Sequence, residues 1–155
     1  MRRRVGSGLM GLSVIVESDG AARGNPGPAG CGAVVVDATT GAVLAECSEF
    51  LGVATSNEAE YHGLLAGLGA AAELGATDVT ARMDSQLVDR QMRGLYRVKE
   101  PRLQVLHAEA RALVRRLGTV GWEWVPRELN ARADALANQA IDGASEPSPD
   151  LRSRE

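Results

Sequence analysis

Cysteine and histidine are both scarce in this chain of 155 residues, with two of each, and the shortage narrows its chemistry. Cys31 and Cys47 lie in separate apolar runs with no signal peptide ahead of them. They read as buried thiols of a reducing compartment, and a disulfide framework is excluded. The start, Met1 to Arg4, is basic, but Val5 to Leu12 is short, glycine-rich and weakly apolar, with no plausible cleavage site. No apolar run approaches the length needed to cross a bilayer. These absences predict a cytoplasmic protein with no membrane partner. The net charge is -3, so no chain-wide excess of base marks the protein for nucleic acid.

What is present suits one domain with a full core, at 45% hydrophobic and 24% charged residues. Charge is uneven along it. Between Arg82 and Arg116 nine bases (Arg82, Arg90, Arg93, Arg97, Lys99, Arg102, Arg111, Arg115, Arg116) stand against four acids (Asp84, Asp89, Glu100, Glu109). Such a segment suits either a phosphate backbone or a solvated helical face laced with ion pairs.

The stretch from Glu17 to Gly30 organises the rest. A first strand, Leu12–Ser18, ends at Asp19. Gly20, Gly24, Gly27 and Gly30, with Pro26 and Pro28, then predict a tight loop in which no helix starts. Cys31–Asp37 and Ala42–Leu51 follow as strands, making an antiparallel meander. Thr55 to Glu58 matches a capping box that opens a helix over Ser56–Leu74, stopped by Gly75. A strand over Ala76–Met83 arrives after a helix and so runs parallel to the first. A short helix over Ser85–Met92, a loop over Gly94–Glu100 and a helix over Pro101–Leu117 come next. The last elements are a strand over Val120–Val125, with Trp122 and Trp124 read as core, and a helix over Ala131–Ile141 with Asn130 as N-cap. The expectation is an α/β fold over residues 12–142, a five-stranded mixed sheet flanked by helices. Residues 1–11 read as a flexible leader and 143–155, rich in Pro and Ser, as a disordered tail or linker.

Four acids sit where acids are costly. Asp19 and Asp84 stand at the exits of the first and fourth strands, which, if parallel neighbours, release both at the sheet edge where ligands bind. Glu60 shares a helical stripe with Leu64, Leu68 and Ala71, and Asp134 one with Ala137 and Ile141. Unpaired charge on a buried stripe is expensive, so the set calls for positive charge. Either a lysine or arginine supplies it, with Arg82, Arg127 and Arg132 as candidates, or a cation does. Ligands of oxygen alone favour Mg²⁺ or Mn²⁺ over zinc. Two such ions at one site activate a water and stabilise the leaving oxygen of a phosphodiester. Glu58 turns to another helix face and is accounted for by the capping box.

Four motifs, in order, resemble those of type 1 ribonuclease H: Asp19 to Gly30, Thr55 to Tyr61, Met83 to Gln86, and Asn130 to Ala137. The resemblance spans Leu12 to Ile141 and is to the bacterial and archaeal branch that lacks the basic handle. It implies the ribonuclease H-like fold and an endoribonuclease that cuts the RNA strand of RNA–DNA hybrids. The family's reaction uses two Mg²⁺ ions, with Mn²⁺ as substitute, and leaves 5′-phosphate and 3′-hydroxyl ends. By the same resemblance Asp19, Glu60, Asp84 and Asp134 are the catalytic metal ligands. Asn25, Asn57 and Gln86 match positions on the hybrid's minor groove. The backbone of Gly20, Ala21 and Ala22 meets ribose 2′-hydroxyls, the feature that separates RNA from DNA. Thr55 matches a residue that holds a DNA-strand phosphate, for which a helix N-terminus is suited. The expected partner is the hybrid, with double-stranded RNA as a variant substrate, and the expected state a monomer. Some members of the branch carry a fused C-terminal phosphatase-like domain, and the Pro/Ser tail suits such a junction.

The chain departs from the family in three places. Arg127 stands in the loop where many relatives have a histidine; it either steers the leaving phosphate or pairs with Glu128 or Glu123. The segment from Arg93 to Glu100 is short, with one aromatic, Tyr96, and Val53 stands where an arginine would support the phosphate pocket. Both predict weaker, more salt-sensitive hybrid binding. A binding module that kept the fold would have lost one of the four acids. The Asn-Pro-Gly-Pro loop and the Thr-Ser-Asn helix start argue against a DNA-processing nuclease.

Overall fold

A computed structural model describes residues 11–145. Its strands are β1 (Leu12–Ala22), β2 (Gly27–Asp37), β3 (Val43–Ala54), β4 (Ala76–Met83) and β5 (Thr119–Trp124). Its helices are α1 (Ser56–Glu73), α2 (Gln86–Met92), α3 (Pro101–Leu117) and α4 (Ala131–Ser145), with a 3₁₀ turn at Arg127–Leu129. The sheet order is β3-β2-β1-β4-β5; β1, β2 and β3 are antiparallel, and β4 and β5 run parallel to β1. This is the mixed sheet that the sequence predicts. No helix among the described residues is long and apolar enough to cross a membrane. Of the leader expected over residues 1–11, residues 1–10 lie outside the described residues, as do 146–155 of the tail expected over 143–155, while α4 runs on past Ile141 to Ser145 and so includes residues 143–145.

The main core fills one face of the sheet. Val14, Val16, Val35, Val79 and Ala81 from the strands meet Tyr61, Leu64, Leu68 and Ala71 of α1 and Leu103, Leu106 and Ala110 of α3. The stripe read from α1 is therefore the buried one. α4 covers the other face, over β2, where Ala137 and Ile141 lie against the glycines of the strand. The capping box forms as predicted: Glu58 N–H donates to Thr55 Oγ1 at 3.1 Å and Thr55 N–H to Glu58 Oε1 at 2.8 Å.

One expectation is corrected in a way that matters for the site. The tight loop expected between Asp19 and Cys31 is instead mostly strand. β1 continues to Ala22 and β2 begins at Gly27, with Asp19 paired to Gly32 and Ala21 to Gly30. The turn is only Arg23 to Pro26, with a cis peptide bond at Asn25–Pro26. Glycines suggest turns when read locally, but here the ladders of backbone hydrogen bonds that β2 makes with β1 and β3 hold Gly20, Gly27 and Gly30 in strand, and only Gly24 sits in the turn.

The longer β1 opens a notch in the sheet. β1 pairs with β4 only as far as Glu17 opposite Arg82, whereas it pairs with β2 through Ala22 opposite Ala29. From Ser18 onward one edge of β1 has no strand beside it. Asp19 lies within that segment, and Asp84 follows directly on the end of β4.

Candidate active site

The open edge of β1 leaves backbone groups that need partners, and side chains supply them. Gly20 N–H donates to Glu60 Oε1 at 2.7 Å, and Asn130 Nδ2 donates to the Ser18 carbonyl at 2.8 Å. Asn130 is fully buried, and the same Nδ2 lies 3.4 Å from Asp84 Oδ1. Sequence reasoning takes Asn130 for the cap of α4. Its backbone carbonyl does accept from Asp134 N–H, but its side-chain oxygen is buried without a partner among the described residues. The amide is oriented so that Nδ2 serves the carbonyl left open where β4 ends, and Oδ1 makes no cap bond. A local cap motif cannot reveal that demand.

α1 comes close enough to deliver Glu60 because small residues line both sides. A Cβ on Gly63 would lie 2.4 Å from the Asp19 carbonyl oxygen, and one on Gly20 would lie 2.1 Å from the carbonyl carbon of Ala59. Asp19, Glu60 and Asp84 each place a carboxylate oxygen within 4.8 Å of the others. Asp134 is not in that trio but lines the same cleft, of about 270 Å³, with Gly20, Ala21, Ala22, Ser56 and Arg127.

Three acids this close disturb one another. Burial raises Asp19 first, and the charge of Glu60, a hydrogen bond to it and the charge of Asp84 add to the effect, pushing the carboxyl up to about 10. Glu60 is pushed up to about 7 by burial and by Asp84 and Asp134, with the hydrogen bonds from Asp19 and Gly20 N–H opposing. Both carboxyls are therefore held above the ordinary carboxylate range, and positive charge entering the cleft would favour their ionised forms.

Among the three candidate arginines, Arg132 donates twice to Glu17, and Arg82 lies between Glu17 and Glu123. Arg127 alone of the three reaches the set, with Nη2 3.6 Å from Asp134 Oδ1 and a side chain 76% exposed. An exposed arginine on one acid leaves the trio of buried Asp19 and half-buried Glu60 and Asp84 unneutralised, so the donor set fits a hard divalent cation.

The remaining candidate residues spread outward from the cleft. Asn25, Thr55 and Asn57 line an adjoining cleft of about 350 Å³ with Glu58, Glu100 and Arg102, and Asn25 Oδ1 accepts from Ser56 N–H at 3.0 Å. Gln86 is exposed at the first position of α2. Leu95 and Tyr96 stand exposed in the short segment before α3, on a larger cleft of about 640 Å³ that Asn57 also lines. Trp122 packs on the core, as expected. Trp124 does not; it is 40% exposed at the end of edge strand β5, and its Nε1–H donates to the Asp84 carbonyl at 3.1 Å. Cys47, on edge strand β3, is only half-buried, whereas Cys31 is fully enclosed; both are free thiols.

Known proteins share this arrangement. The family model described as "Reverse transcriptase-like" matches residues 17–140. The bifunctional protein Rv2228c of Mycobacterium tuberculosis is 50% identical over 135 residues, 87% of this chain and 37% of its own length. This chain thus spans little more than a third of that relative. Ribonuclease HI of Halobacterium salinarum is 46% identical over 126 residues, covering 81% of this chain and 63% of its own. The N-terminal RNase H domain of Rv2228c, solved as a fusion with maltose binding protein, superposes with a TM-score of 0.84 at 51% identity, covering 86% of this chain and 96% of that one. LC11-RNase H1, solved in complex with an RNA/DNA hybrid, gives a TM-score of 0.82 at 43% identity, covering 86% of this chain and 99% of its own. Fold, identity and coverage agree: this chain belongs to the type 1 ribonuclease H family.

Proposed function

We propose that this protein hydrolyses the RNA strand of RNA–DNA hybrids in a reaction that depends on two divalent cations, leaving 5′-phosphate and 3′-hydroxyl ends. The observation that carries the reading is the trio Asp19, Glu60 and Asp84, with carboxylate oxygens within 4.8 Å of one another in an open cleft. Asp19, Glu60, Asp84 and Asp134 would hold Mg²⁺, or Mn²⁺ in its place. Bound there, the ions supply a water nucleophile at neutral pH and charge for the departing oxygen.

The chain's own residues define the substrate. Gly20, Ala21 and Ala22 line the cleft beside the trio, where extended backbone can approach ribose 2′-hydroxyls without a side chain intervening. Thr55 Oγ1 accepts from Glu58 N–H, which leaves its hydroxyl hydrogen to donate to a phosphate oxygen at the start of α1. Asn25 keeps its Nδ2 for the minor groove, because its Oδ1 is occupied by Ser56 N–H. Asn57 links this cleft to the one beside Tyr96, a path suited to the second strand, and Gln86 contributes from the start of α2. Arg127, which lines the cleft and pairs with Asp134, would meet the departing phosphate and leave Asp134 as it does so. The hybrid bound by LC11-RNase H1 supports this choice of partner.

Cleavage of end-labelled RNA–DNA, RNA–RNA and DNA–DNA duplexes, with Mg²⁺, Mn²⁺ or EDTA, tests the reading beside Asp19→Asn. Metal-dependent cutting of the RNA strand of the hybrid, lost in the variant, is the expected result. Hybrid binding without cutting under either ion would reduce the protein to a binding module.

A further inference from the structure

Each of the four acids is preceded, two positions earlier, by a charged residue; Glu58 before Glu60 belongs to the capping box, which leaves Glu17 before Asp19, Arg82 before Asp84 and Arg132 before Asp134. The structure joins these three with a fourth. Glu17, Arg82 and Glu123 face one another in register across β1, β4 and β5. Arg82 Nε donates to Glu123 Oε1 at 2.8 Å, and Arg82 Nη1 lies 3.7 Å from Glu17 Oε2. From the opposite side Arg132, in the first turn of α4, donates Nε to Glu17 Oε1 at 3.1 Å and Nη2 to Glu17 Oε2 at 2.8 Å. Charges alternate along the row, and Glu17, only 6% exposed, is its buried member.

The row's position gives it a task. Glu17 opposite Arg82 is the last rung that β1 and β4 share before the notch opens. Beyond that rung, backbone pairing no longer fixes the distance from Asp19 to Asp84, and no strand ladder ties Asp134 to either. We infer that the row Arg132–Glu17–Arg82–Glu123 is a positioning device that locks β1, β4 and the start of α4 together and thereby sets the spacing of the metal-binding acids. This rests on the metal-dependent reading above. The fork of Arg132 on Glu17 is directional, which a lysine cannot reproduce. The three outer side chains are 27 to 49% exposed, so the row adds little to global stability. Its effect falls on geometry.

The test is Mn²⁺ binding followed by electron paramagnetic resonance, together with kcat and KM on a hybrid, for Glu17→Gln and Arg132→Lys. Weaker Mn²⁺ binding by about tenfold, with kcat reduced and KM unchanged, is expected for Glu17→Gln, and a smaller loss for Arg132→Lys. In an Asp134→Asn background the Glu17→Gln change costs less kcat than it does alone. Wild-type Mn²⁺ affinity in both variants overturns the inference, even if their melting temperatures fall. If Glu17→Gln does not fold, Arg132→Lys decides alone. A wild-type protein that binds Mn²⁺ yet cuts no hybrid refutes the proposed function only, because the binding comparison still stands.

Discussion

Replacing Gly20 with alanine probes the contact on which the site depends. The added Cβ would lie 2.1 Å from the carbonyl carbon of Ala59 and 2.3 Å from the Glu60 nitrogen, both backbone atoms that cannot rotate away. Restoring an ordinary contact of 3.4 Å moves the first turn of α1 off β1 by about 1.3 Å. Glu60 travels with that turn, and its 2.7 Å bond to Gly20 N–H is stretched beyond use. Overpacking of this kind costs about 1–3 kcal/mol, and the lost charged hydrogen bond adds to it. A catalytic group displaced by about 1 Å loses on the order of 10²-fold in turnover. Gly69, on the same helix with nothing within 4 Å of its Cβ position, is the control. Gly69→Ala should stabilise the protein by about 0.5–1 kcal/mol and leave cleavage alone. The assays are thermal unfolding and Mg²⁺-dependent hydrolysis of a labelled hybrid. Wild-type turnover and metal dependence in Gly20→Ala would refute the claim that β1 and α1 must touch here for Glu60 to be placed.

Without metal, the raised carboxyls of Asp19 and Glu60 make stability fall with pH. Their contribution is complete below the unfolded values near 4 and is lost as pH rises through about 7 for Glu60 and toward about 10 for Asp19. The melting temperature in EDTA should therefore drop between pH 5 and 9 (an interval set by these two groups), and Mg²⁺ should restore it most at the alkaline end. A flat profile in EDTA contradicts the crowding of the acids. Asn130→Ala strips the buried Ser18 carbonyl of its donor and should cost about 1–3 kcal/mol in urea unfolding, with slower cleavage. Arg127→Ala should lower turnover while leaving unfolding almost unchanged, since an exposed ion pair is worth about 0–1 kcal/mol; unchanged turnover removes Arg127 from the mechanism. Burial pushes the Cys31 thiol up to about 12, so a thiol reagent at pH 8 should label Cys47 in the native protein and both cysteines only after unfolding.

What could be read from the chain alone was what neighbouring residues decide. The capping box at Thr55 needs only residues three apart, and the stripes carrying Glu60 and Asp134 need only helical spacing. Local pattern also supplied the strand and helix order, and parallel pairing of β4 with β1 followed from the intervening helix. The site's supporting parts were hidden because their partners are distant in sequence. Asp19 lies inside a strand because Gly32 pairs with it, thirteen residues on and past a turn. Asn130 serves Ser18, 112 residues away, because β4 stops short of β1's end and leaves a carbonyl open. Trp124 is exposed and bonded to the Asp84 backbone because β5 is the sheet's last strand. The sequence by itself singled out the four acids proposed to hold the metal, two because an acid on a buried helical stripe is costly and two because they stand where strands end. Only the tertiary structure decided how those acids are held, because strand lengths, and hence the notch, come from pairing between segments far apart in the chain.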